Sequence, residues 1–272
     1  PFKRYQICSV FRDGPLKMGR YREFMQCDVD VVGVKSMAAD AEMVEIALNI
    51  FDALELDVRV FVNNRKILDA ALNACGVKED KLLTAILIFD KLEKIGIDGV
   101  KKEFDEAKIG SEKAQKLYQF LKESGSNLNK LKNLKVLVGD SKDGQEGIRE
   151  VEELLSFLPE KKVGTPEKVI FSGTLARGLA YYTGTVFEVF LSSRVELAEI
   201  KSAVAAGGRY DKMIGNFVDS NREYPAVGIS FGLDIIEDAL RIARKEKRKT
   251  TTTAYVIPIG AATEARKIAT KL

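Results

Sequence analysis

The sequence predicts an α+β protein, with an antiparallel hairpin near its start and a mostly helical stretch set between strands. Three observations carry this reading. Strand patterns open the chain, and residues 22–34, "REFMQCDVDVVGV", alternate cleanly, with Met25, Cys27, Val29 and Val31 on one face and Phe24, Gln26, Asp28 and Asp30 on the other. Between about 66 and 160 helical spacing takes over and strand signals nearly vanish. From 168 onward the strand signals return. A chain of 272 residues, 46% hydrophobic and 31% charged, has the material for one large or two medium domains.

Taken in order, residues 4–11, "RYQICSVF", are rich in β-formers and read as the first strand. Residues 12–21 carry Gly14, Pro15 and Gly19, which suit a turn, so the strands on either side make an antiparallel hairpin with one polar face. Residues 40–54 are helical with Asp40 as N-cap, and 58–63 form a short strand. Amphipathic helices follow at 66–75, 79–95, 98–107, 111–124 and 143–158, with one strand signal, "KVLVG", at 135–139. Strands are expected at 168–171, 184–191, 199–206 and 224–232, then a helix over 233–247 that ends in the basic tract "RKEKRK". "TTTT" at 250–253 is a linker, and "AYVIPIG" with the residues after it starts a strand and a helix of something new. The chain opens directly on a strand pattern and stops soon after that last start, so it reads as a fragment.

Composition excludes several chemistries. There is no histidine, which removes histidine-based acid–base catalysis, a Ser-His-Asp triad and most zinc sites. No metal site is expected. Cys8, Cys27 and Cys75 lack metal-ligand spacing and read as reduced core residues of a cytoplasmic protein. No apolar run is long enough for a membrane helix, and the N-terminus is not a signal peptide, so no membrane partner is expected. With 43 Lys and Arg against 40 Asp and Glu, nucleic acid is neither demanded nor excluded.

Residues 172–190, "SGTLARGLAYYTGTVFEVF", place Arg177, Tyr181 and Tyr182 among small and apolar residues, and structural and ligand-binding readings weigh evenly there. Gln26 and Asp30 share a strand face roughly 13 Å apart. They fit either a solvent-facing strand or a grip on the two ends of a small ligand. Arg12, Arg20 and Arg22 fit either a solvated loop or an anion site, because a guanidinium binds two oxygens at once. Gly207 and Gly208 in "AAGGRYD", and Gly232 in "VGISFG", mark places where backbone can approach a ligand.

In combination these segments acquire meaning. "VFRDGPLKMGRYREFMQCDVDVVG" at 10–33 resembles motif 2 of class II aminoacyl-tRNA synthetases in its histidyl form. "LARGLAYYTGTVFEVF" at 175–190 closely resembles the histidine-specific motif of the histidyl-tRNA synthetase family, usually R-G-L-D-Y-Y-T-G. "AAGGRYD" is typical of that family, "AVGISFGLDII" at 226–236 stands at its motif 3, and "AYVIPIGAATEARKIATKL" resembles the start of its anticodon-binding domain. All five segments follow the family's order.

The resemblance implies a class II synthetase-type antiparallel sheet with a mostly helical insertion domain. Residues 1–65 would be the first part of the catalytic core, 66–160 the insertion domain, 161–247 the second part of the core, and 254–272 the start of the anticodon-binding domain. It implies an ATP-dependent ligase that activates L-histidine to histidyl-adenylate and transfers it to tRNA(His). ATP with Mg2+ would be a substrate, with no tightly bound prosthetic group, and the full-length protein would be a homodimer. By the same resemblance Arg12 and Arg177 are catalytic, both holding the ATP α-phosphate. Gln26 takes the histidine amino group. Asp30 and Tyr182 hold the imidazole with Tyr181 beside it, and Gly207 and Gly208 belong to the histidine site. Phe24 and Gly232 join the two arginines in the ATP site. Motif 1 and the T-P-E loop would lie upstream of Pro1. Ala180 stands where an aspartate is usual, and Ile235 where motif 3 has an arginine. Those two departures keep open an alternative, a non-catalytic paralogue that senses histidine or tRNA as a regulatory subunit.

Overall fold

Seven strands form one sheet: β1 (Phe2–Phe11), β2 (Glu23–Val32), β3 (Val58–Asn64), β4 (Val169–Phe171), β5 (Thr185–Leu191), β6 (Ala205–Arg209) and β7 (Ala226–Gly232). The computed structural model describes residues 1–14, 16, 21–122, 125–159, 167–179, 181–192, 200–220, 222–244, 252 and 254–271. Across the sheet the order is β1-β2-β7-β6-β5-β3-β4, and each neighbouring pair is antiparallel except β3 with β4. The hairpin of β1 and β2 pairs Phe2 with Val32 and Phe11 with Glu23.

Strand alternation decides which residues meet the helices. Cys27, Val29 and Val31 of β2, Val227, Ile229 and Phe231 of β7, and Val58, Val60 and Val62 of β3 pack into one core. They meet Met43, Val44, Ala47 and Phe51 of α1 (Ala38–Ala53), which recur at helical spacing and are fully buried. Burying a side chain such as Phe51 contributes about 1.5–3 kcal/mol. Between β3 and β4 run α2 (Arg65–Ala74), α3 (Leu82–Phe89), α4 (Leu92–Glu106), α5 (Ser111–Leu121), α6 (Asn127–Val138) and α7 (Lys142–Phe157). They close a second core that includes Leu72, Phe89, Phe104, Leu117 and Phe171. Helix α7 serves both cores, placing Val151 in the second and Leu154 in the first. After β6 come α8 (Met213–Phe217), β7, α9 (Leu233–Ala243) and α10 (Ala262–Ala269).

Several sequence expectations give way. "KVLVG" at 135–139 is not a strand but the end of α6. Ser126 caps that helix by accepting from the Asn129 N–H, and Leu131, Leu134 and Val138 are buried at 3.6-residue spacing. Burial at the helical period outweighs the local β preference of two valines. Asp40 does not cap α1. Met37 holds that position without a side-chain bond, and Asp40 lies inside the first turn, wholly buried. The helix expected over 79–95 is a short 3-10 turn, α3 and the start of α4, which Gly96 kinks at φ 68°. The strand expected over 199–206 begins only at Ala205, although Val204 already bonds to Val189 and Gly232. Residues 254–260 form no strand. Tyr255, Ile257 and Ile259 are exposed, with no neighbouring strand among the described residues to satisfy their backbone. Arg20, Ala180, residues 160–166 and the basic tract from 245 lie outside the described residues.

Candidate active-site cleft

The same alternation that fills the core builds a trough on the other sheet face. β7 turns Gly228, Ser230 and Gly232 to that face, and β6 turns Ala206 and Gly208. In register, Ser230 lies between Asp28 and Ala206, and Glu188 lies between Ala206 and Phe61. Two central strands with almost no side chain, flanked by larger residues, leave a cleft of about 850 Å³. Arg12, Phe24 and Gln26 line it from the hairpin, and Arg177, Tyr181 and Tyr182 from the irregular segment before β5. Asp90, Glu93 and Lys94 line it from the α3–α4 corner, and Lys201, Asp234 and Ile235 also reach it.

Arg177 is held by several groups at once. Its Nη1 donates to the Tyr182 hydroxyl at 3.1 Å and to the Gly207 carbonyl at 3.4 Å, and its Nε lies 3.7 Å from Glu188 Oε1. The guanidinium also sits 5.3 Å from the centre of the Tyr182 ring. Burial pushes the Tyr182 phenol up, so it remains a neutral donor and acceptor across the physiological range. Burial likewise pushes Glu188 up, to about 7, against the pull of Arg177. On the hairpin, Arg12 Nε donates to the Tyr21 carbonyl at 2.8 Å and its guanidinium lies 4.4 Å from the Phe24 ring centre. The backbone N–H of Met25 donates to Asp234 Oδ2 at 2.6 Å, which ties the hairpin to the first turn of α9.

Of the residues singled out from sequence, Arg12, Phe24, Gln26, Arg177, Tyr181, Tyr182 and Gly232 line the cleft. Asp30, Gly207 and Gly208 do not. Asp30 accepts from the Tyr210 hydroxyl, and its Oδ2 lies 3.2 Å from Arg4 Nε. Tyr210 in turn stands edge-on to Tyr181, with ring centres 6.3 Å apart. Gly208 lies beneath Tyr182, where a Cβ would come within 2.8 Å of that ring. Gly207 faces the helix layer, and a Cβ there would lie 2.1 Å from the Gly228 carbonyl oxygen. Sequence reading missed Glu188, Asp90 and Tyr210. The available signal was a lone carboxylate in the strand "TVFEVF", and a tyrosine beside the paired glycines.

Below the trough, β6 is clamped to α1. Arg209, 3% exposed, pairs with the fully buried Asp40, which also accepts from the Thr185 hydroxyl. Arg209 Nη1 reaches the Val34 carbonyl at 3.1 Å and Asp211 at 3.3 Å. Burial works against the charged guanidinium, and the carboxylates of Asp40 and Asp211 together outweigh it and raise the Arg209 pKa.

A model of the family described as "Histidyl-tRNA synthetase" matches residues 3–236. Histidine--tRNA ligase 1 of Bacillus anthracis is 42% identical over 278 aligned residues, covering all of this chain and 61% of that protein. Histidine--tRNA ligase of Bacteroides fragilis is 41% identical over 240 residues, covering 88% of this chain and 51% of that protein. The crystal structure of histidyl-tRNA synthetase from Nostoc sp. PCC 7120 superposes with a TM-score of 0.76 at 34% identity, covering 100% of this chain and 62% of that one. A Bacillus halodurans C structure described as an ATP phosphoribosyltransferase regulatory subunit/histidyl-tRNA synthetase shares the fold at a TM-score of 0.67 and 21% identity. The chain belongs to the histidyl-tRNA synthetase family. It spans 61% of the length of the Bacillus anthracis relative.

Proposed function

We propose that the cleft activates L-histidine with ATP, and that the protein is a histidine–tRNA ligase delivering the histidyl group to tRNA(His). The observation that carries this reading is the convergence of Arg12 and Arg177, from distant segments, on one cleft whose floor is nearly free of side chains. In the reaction a histidine carboxylate oxygen attacks the α-phosphorus of ATP. A P–O bond forms to the carboxylate, the bond to pyrophosphate breaks, and histidyl-adenylate remains. Negative charge grows on the α-phosphoryl oxygens, and fixed guanidinium groups aimed there lower the barrier. Mg2+ enters with ATP as part of that substrate.

Gln26 faces the cleft and takes the substrate's ammonium group with its amide oxygen. Tyr182 meets one imidazole nitrogen. Asp30 meets the other once it turns from Tyr210, or acts on it through that hydroxyl. Phe24 offers a face to the adenine, and Gly232 leaves the ring room. Amino-acid-dependent ATP–pyrophosphate exchange by the purified protein tests the reading. Exchange with histidine alone among the amino acids supports it, and exchange with another amino acid or with none overturns it.

One observation favours a second reading. Ile235 is buried at the cleft wall where the family motif carries an arginine, so that position offers no charge to a ligand. A non-catalytic paralogue that senses histidine or tRNA would tolerate this. Histidine binding without exchange selects it.

A further inference from the structure

Glu188 is out of place for a core strand. Its neighbours in sequence, Phe187 and Val189, are buried in the main core, and its neighbours across the sheet are Phe61 and Ala206. It faces the cleft with its side chain 23% exposed, and Arg177 Nε lies 3.7 Å away. A half-buried ion pair of this length gives little net stability, because desolvation of both charges offsets their attraction. A pair kept for stability alone has a poor geometry here. The Arg177 guanidinium is instead tethered on Nη1 by Tyr182 and Gly207, and Glu188 adds a counter-charge 3.7 Å from its Nε.

We infer that Glu188 is a positioning residue for Arg177, a counter-charge that holds the guanidinium in place and is neutralised by a proton when a phosphate docks there. This rests on the proposed assignment of Arg177 to the α-phosphate. The charged and titratable groups facing Glu188 are Arg177, the neutral Tyr182 phenol, Asp90 beyond α3, and Glu93 and Lys94 on α4. The strands beside it bring only Phe61 and Ala206. Burial, with Asp90 and Glu93, pushes the carboxyl up to about 7, while Arg177 and Lys94 pull the other way. A phosphate on Arg177 cancels part of that cation's pull and adds its own negative charge. Glu188 then binds a proton more tightly. By linkage the reverse holds, and the protonated cleft binds phosphate more tightly. Phosphate affinity is therefore full below neutral pH and falls as pH rises and Glu188 ionises.

The probe is ATP, with dissociation constants measured by calorimetry from pH 6 to pH 8 for wild type and Glu188→Gln. Glutamine keeps the shape and mimics the protonated acid. ATP's own titration is common to both proteins and cancels in the ratio of wild-type to variant constants. That ratio is expected near one at pH 6 and about tenfold at pH 8, within the usual range of coupling between two sites. A ratio independent of pH, or a variant that binds more weakly throughout, overturns the inference and leaves the proposed function standing. Failure of wild type to bind ATP overturns both. If circular dichroism shows the variant unfolded, wild-type calorimetry at pH 7.5 in buffers of different ionisation heat decides. Net proton uptake on binding supports the inference, and zero uptake or release sinks it.

Discussion

Arg177 donates to two acceptors and lies beside the Glu188 carboxylate, so under the proposed function its charge needs no reorganisation as an α-phosphoryl group becomes more negative. Arg177→Ala is expected to slow adenylate formation by about two to three orders of magnitude at saturating substrates, the scale for losing one preorganised group. Arg177→Lys should recover only part, because an ammonium cannot reach Tyr182, Gly207 and a phosphate with one planar fork. Single-turnover measurement checks this, and a rate near wild type with only a raised KM for ATP would sink it. Asp30→Ala belongs to a different class. Under the proposed assignment it should weaken histidine binding by about 2–4 kcal/mol, the scale for removing one partner of a charge-assisted hydrogen bond to the ligand. Unchanged calorimetric affinity for histidine argues against the assignment. At this scale the site was legible where a residue contradicts its surroundings. Arg177 amid small residues and Gln26 on a strand face stand out in sequence with a structural reading still open, and both line the cleft. Glu188 did not, because its meaning depends on an arginine brought beside it by the fold. Alternation placed Asp30 on the correct face but could not show that Tyr210, which follows β6, would claim it.

The strands β6 and β7 show how an element builds a cleft by what it leaves out. Gly207 opposes Ile229, and a Cβ at Gly207 would meet the Gly228 carbonyl oxygen at 2.1 Å. Backbone atoms in mid-sheet cannot step aside. Gly207→Ala should therefore cost about 3 kcal/mol or more, at the top of the overpacking range. Urea unfolding checks it, and a loss below about 1 kcal/mol contradicts the stated geometry. The clamp between β6 and α1 is a second test. Asp40→Ala leaves Arg209 buried without its main partner, for an expected loss of about 3–5 kcal/mol. An unchanged urea midpoint would mean that the pair is not what holds β6 to α1. Elements with strong periodicity, such as α1, α7 and β2, could be read from sequence alone. Helix α6 could not, since its valines favour a strand and only burial against α7 and α2 selects the helix. Asp40 reads as a cap by type and position, and only the approach of Arg209, 169 residues away, explains its burial.

The whole molecule brings its site together from segments distant in sequence. The cleft takes residues from Arg12 on the hairpin to Ile235 on α9, and from the α3–α4 corner of the second core. Helix α7 links the two cores, so the helical stretch and the sheet are expected to unfold together. No unfolded chain can present this arrangement, and a ligand of the cleft binds the native state alone. It then stabilises the whole protein by mass action, about 2.7 kcal/mol at a hundredfold excess over its dissociation constant. For a chain of this length that corresponds to a rise in Tm of about 5–10 °C. Selectivity is the informative part. Under the proposed function the cleft hydrogen-bonds both imidazole nitrogens, and a side chain that offers no matching groups gains none of those bonds for the water it displaces. L-histidine should raise Tm by that amount, and arginine, glutamine and phenylalanine at the same concentration should leave it within a degree or so. Tyr182→Phe, which keeps the ring over Gly208 and removes only the hydroxyl, should shrink the histidine shift without lowering the ligand-free Tm by more than a few degrees. Equal shifts from arginine and histidine would show a cleft that reads charge rather than the imidazole ring, and the histidine assignment would fail at the level of the whole protein.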